Sequence, residues 1–168
     1  MSRRDRRDTP YRAPASAPVT EPTVRVVVAA IDGTRRAPSV LVMAATVAQR
    51  FGAKLYAFRA VSVPPDYPPA AHVDHPDRLP AYLEREAREE VAELLRTVPG
   101  AQAATPVVVV GDTWRAILEE ARRLKADMVV MGSHGYSGID RLLGTTTGKV
   151  TVRAPCHVLV VHTEPESG

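Results

Sequence analysis

The chain has 168 residues and a mass of 18.2 kDa, the size of one ordinary domain. With 45% apolar and 24% charged residues it has the balance of a globular protein, and no apolar run approaches the roughly 20 residues that a membrane-spanning helix needs. The net charge is +3, and the first 23 residues hold five arginines against three acids, so the remainder is about neutral and presents no basic face for nucleic acid.

The amino terminus, MSRRDRRDTPYR, is charged and no apolar stretch follows it, which argues against a secretory signal and for a cytoplasmic location. Pro10, Pro14, Pro18 and Pro22 interrupt residues 1–23, which read as a disordered Arg/Pro-rich tail; the arginines read as solvated rather than as a contact for membrane or nucleic acid. Val24 to Ile31, VRVVVAAI, is a β-branched apolar run ended by Asp32-Gly33, a strand and its turn. Residues 38–51 place Val40, Ala44, Val47 and Phe51 on one helical stripe, with Pro38 in the first turn and Gly52 as the cap. Ala53 to Val61 is a second strand. Between residues 62 and 80 six prolines define a long surface loop. His72, Asp74, His75 and Asp77 in that loop have the types of a metal cluster, but a polar loop explains them more simply.

Leu83, Ala87, Val91 and Leu94 mark a second helix, with Glu84 and Arg88 paired on its wet side. Pro106 to Val110 is a third strand. Residues 113–126 form a third helix through Trp114, Ile117, Leu118, Ala121 and Leu124, and Asp127 to Met131 a fourth strand. Residues 145–154 are a short helix stopped by Pro155, and His157 to Val161 a fifth strand, after which 163–168 is a tail. Cys156 stands alone, which excludes an internal disulfide and a cysteine-built metal site; beside Pro155 it reads as a packed thiol.

Strands alternating with helices predict an α/β fold with a parallel, doubly wound sheet, because a parallel neighbour needs a crossover and a helix supplies it. The strands are apolar throughout, as when both faces are covered. In such sheets ligands bind past the carboxyl ends of the strands, where the winding reverses. Between the fourth strand and the fourth helix the chain clusters Gly132, Gly135, Gly138, Gly144 and Gly148. Glycines let a ligand approach the backbone, and Gly144 followed by Thr145, Thr146 and Thr147 offers helix-terminal amides and hydroxyls to phosphate oxygens. A tight turn with a threonine-capped helix accounts for the same residues without a ligand. The motif of P-loop enzymes is absent, since residue 143 is Leu and residue 150 is Val around Gly148-Lys149; the dinucleotide fingerprint is absent too, since the first turn reads Asp32-Gly33-Thr34-Arg35. A phosphorylated receiver domain would want paired acids after the first strand and a lysine after the fifth, and His162 stands there instead. With no recoverable Ser-His-Asp or Cys-His set, no catalytic residue is assigned.

The segments IDGTRRAPSVLVMAATVAQRFGAKLYAFRAV and GDTWRAILEEARRLKADMVVMGSHGYSGIDRLLGTTTGKVTVRAPCHVLVV resemble a universal stress protein domain, over roughly residues 24–162. That resemblance implies a single domain with a five-stranded parallel sheet in the order 3-2-1-4-5, of the adenine nucleotide alpha hydrolase-like kind. It also implies a homodimer through the last strand and an adenine nucleotide (ATP, ADP or AMP) as ligand, with Mg or Mn held mainly by phosphates and water. ATP-binding members carry G-x2-G-x9-G-[ST]; here Gly132-x2-Gly135 matches but eight residues, not nine, precede Gly144-Thr145, which leaves open the nucleotide retained. By position, Asp32 resembles the acid that meets the ribose, and Ala30, Ile31 and Ala60 the contacts around adenine. Met131, Gly132 and His134 would line the nucleoside, and Gly135, Gly144, Thr145, Thr146 and Thr147 would hold phosphates. The expected role is a nucleotide-responsive binding module; the alternatives are a slow ATP hydrolase or self-modifying protein, and an interaction protein without nucleotide.

Overall fold

The structure is a computed structural model that describes residues 23–62, 79–133 and 146–162. The arginine-rich tail, the proline loop with its histidines, most of the glycine segment and residues 163–168 lie outside the described residues.

Nine elements alternate along the chain: β1 (Val26–Ala30), α1 (Ala37–Phe51), β2 (Lys54–Val61), α2 (Leu79–Thr97), β3 (Thr105–Val110), α3 (Thr113–Arg123), β4 (Met128–Gly132), α4 (Thr146–Arg153) and β5 (His157–Val161). The strands form one parallel sheet in the order β3-β2-β1-β4-β5. Alternation along the strands divides the core in two. Val27, Ala29, Leu55, Ala57 and Val130 pack on α1 and α2; Val28, Phe58, Val129 and Met131 pack on the α3 and α4 side with Ile117, Leu118, Ala121 and Val150. Val27, Val28, Ala29, Val129 and Val130 are fully buried, which is why the strands carry no polar alternation.

Local chemistry sets the element ends. Pro38 lies in the first turn of α1 and Gly52 closes it with φ 63°, the left-handed conformation that suits glycine. The stripe of α1 is rotated from the expected one: Val40 and Ala44 are buried, but their partners are Leu41, Ala45 and Ala48, while Phe51 is 49% exposed. The helix lies across β1 and β4 on its i, i+1, i+4, i+5 face, which puts Phe51 on the flank. Helix α2 begins at Leu79, so Leu79 and Pro80 belong to its first turn rather than to the loop. Helix α3 stops at Arg123, before the expected residue 126, because Lys125 turns to φ 50° and Ala126 hands its amide to Ala121. The Glu84–Arg88 pair forms as expected, at 2.8 Å.

Candidate functional site at the sheet reversal

Strands β2 and β3 lie to one side of β1, and β4 and β5 to the other, so the winding reverses between β1 and β4. The register places Ala30 level with Phe58 of β2 and with Met131 of β4. These three side chains share the α3 and α4 face, and Ala60, two residues beyond Phe58, continues it. Small residues at Ala30, Ala60 and Gly132 leave a gap where larger ones would close the sheet end. A cleft results, lined by Ala30, Ile31, Asp32, Ala60, Met131, Gly132, Thr146 and Thr147 among others.

These are eight of the twelve residues named from the sequence; His134, Gly135, Gly144 and Thr145 lie outside the described residues. Residues the sequence did not name for the site complete the lining: Arg36, Val40, Phe58, Thr113, Ile117 and Ser133, of which Val40 and Ile117 read from the sequence only as helix core. Phe58 could have been found from strand alternation, since it is Ala60 minus two, and Thr113 from its place just past β3. Arg36 gave no such signal.

Asp32 follows β1 and is held by its own turn: Oδ1 accepts the amide of Thr34 at 3.1 Å and its hydroxyl at 2.6 Å. The amide of Ile31 donates to Phe58 O at 2.9 Å, which fixes the strand end that carries the acid. On the opposite lip Thr147 is only 2% exposed, and its hydroxyl donates to Gly132 O at 3.0 Å, tying α4 to the end of β4. That proton is therefore spent on the scaffold. A ligand at this lip would meet main-chain amides of the first turn of α4, which have no acceptor inside the helix. Among the described residues Asp32 is the only carboxylate lining the cleft, so a divalent ion there would draw its other ligands mainly from a phosphate and water. The described residues contain no group of three His, Cys, Asp or Glu that could hold a metal ion. The clear space among these residues measures about 50 Å3, room for a few waters. None of the described helices is long and apolar enough to cross a membrane.

Comparison with known proteins agrees with this geometry. The model of the universal stress protein family matches residues 23–162. The Universal stress protein in QAH/OAS sulfhydrylase 3'region of Thermus aquaticus is 32% identical over 138 residues, 82% of this chain and 98% of that one. Universal stress protein A homolog 1 of Coxiella burnetii is 32% identical over 138 residues, 80% of this chain and 94% of that one. Among solved structures, a universal stress protein crystallised in complex with cAMP aligns with a TM-score of 0.65 and 27% identity, over 84% of this chain and 99% of that one.

Proposed function

The chain belongs to the universal stress protein family, and from that membership we propose that it binds an adenine nucleotide in the cleft between the ends of β1 and β4, in the cytoplasm, as a nucleotide-responsive binding module. The observation that carries the proposal is the convergence on one cleft of the acid after β1, the small residues at three strand ends and the threonines opening α4. A solved relative bound to cAMP supports the same ligand class. In this reading the purine lies on Ala30, Ala60 and Met131, the ribose hydroxyls donate to Asp32, and the phosphates face the first turn of α4 and the glycine segment. A magnesium or manganese ion would travel with the phosphates of ATP or ADP. A second copy of the chain pairs along β5, the strand at the sheet edge.

Calorimetric titration with ATP, ADP and AMP tests the proposal. Binding in the micromolar range by at least one of them supports it, and Gly135→Leu should abolish that binding. Silence from all three at millimolar concentration contradicts it and leaves the nucleotide-free interaction protein. Release of phosphate from bound ATP over hours, at a rate proportional to protein, would identify the slow hydrolase.

A further inference from the structure

Among the described residues the cleft contains one cation, Arg36, to which the proposed function gives no task. Its Nε is the one buried side-chain nitrogen or oxygen among the described residues with no hydrogen-bond partner. No described carboxylate forms an ion pair with it. The acid that lines the same cleft, Asp32, has Oδ1 occupied by the amide and hydroxyl of Thr34. The neighbouring walls, Val40, Phe58 and Ile117, are apolar and supply no acceptor. A guanidinium nitrogen kept from water without an acceptor costs free energy, and a phosphate oxygen bound beside it would offset that cost. Two further features point the same way. Arg36 caps α1 with no side-chain cap bond, and the first turn of that helix holds no acid, so the charge sits at the positive end of the helix with no acid of that turn to offset it.

We propose that Arg36 reads the phosphate of the bound nucleotide from the β1–α1 side of the cleft, facing the first turn of α4 across the ligand. The inference rests on nucleotide binding in this cleft and adds to it the residue that separates nucleotides from the free nucleoside. A planar guanidinium fork suits phosphate oxygens better than an ammonium does. Among the described residues lining the cleft, Arg36 has the longest flexible side chain, which gives it reach toward a phosphate.

Adenosine and AMP titrated calorimetrically against the native protein, Arg36→Ala and Arg36→Lys test this, with circular dichroism confirming that each variant is folded. Arg36→Ala should weaken AMP binding by about 10- to 100-fold while adenosine binds as before or more tightly, and Arg36→Lys should recover part of the loss. Equal effects of Arg36→Ala on the two ligands, or none, would overturn the role of Arg36 while leaving nucleotide binding intact. If the native protein binds none of adenosine, AMP, ADP and ATP, the cleft reading and this inference fall together; if it binds ADP or ATP but not AMP, the same comparison is read with that nucleotide in place of AMP.

Discussion

Asp127 shows how one side chain fixes a strand end. It follows α3, and its Oδ2 accepts the amides of both Arg25 and Val26, at 2.8 and 3.0 Å, while its own amide donates to Val26 O. The carboxylate thus starts β1 in register with β4. Asp127→Ala should lower the unfolding free energy by about 1–3 kcal/mol, measured by urea titration, and Asp127→Asn, which keeps an acceptor, by less. Cys156 has its thiol pushed up by burial first and by the Asp127 carboxylate second. The folded protein therefore prefers the neutral thiol. That contribution to stability is whole below the ordinary thiol range and is lost as pH rises through the raised value. Alkylation of Cys156 by iodoacetamide at pH 7 should be slower than in urea-unfolded protein; equal rates would show a thiol that the fold does not protect. Residue by residue, the sequence disclosed the acid after β1 because a strand end followed by Asp-Gly is a local pattern. It did not disclose Arg36. An arginine in a loop is ordinarily solvated, and only the folded chain shows that its Nε is buried.

Helix α1 shows what periodicity resolves and what it leaves open. The helix and its caps were legible from Pro38, Gly52 and the apolar spacing, yet the stripe drawn through Val47 and Phe51 was rotated from the buried one. Alanines caused the ambiguity: Ala44, Ala45 and Ala48 pack against the sheet, but a small residue weighs little in an apolar pattern. Leu41→Ala, at a fully buried site, should cost about 2–5 kcal/mol, whereas Phe51→Ala should cost under ~1 kcal/mol, both read from urea midpoints. Helices α3 and α4 are joined by an aromatic contact outside the cleft. The sole tryptophan, Trp114, follows the cleft residue Thr113, and its ring centre lies 5.5 Å from Lys149 Nζ and 5.6 Å from the Arg153 guanidinium carbon of α4. A ligand seated on the first turn of α4 should shift this helix pair. Tryptophan emission is expected to change saturably with added AMP, at the same concentration at which calorimetry registers binding.

At the scale of the molecule, alternation of apolar strands with helices dictated a parallel sheet, but the order of its strands came only with the family resemblance. Nothing in composition or spacing says which strand neighbours β1; the crossovers decide it through helix packing. The order that formed leaves β5 at an edge, with Val160 38% exposed on it and Val152 70% exposed on α4. An apolar edge invites a second chain. Light scattering at micromolar concentration should give the mass of a dimer, and Val160→Lys a monomer; a native monomer would contradict pairing through β5. The same strand order creates the cleft at the reversal, and its occupation by an adenine nucleotide is the claim on which the rest depends. The AMP affinity of Ala60→Leu, compared by calorimetry with that of the native protein, tests it most directly, because the larger side chain fills the space assigned to the purine without touching the phosphate lip. A loss of tenfold or more, in a variant whose circular dichroism is unchanged, is the predicted result; an undiminished affinity would place the ligand elsewhere and contradict the account.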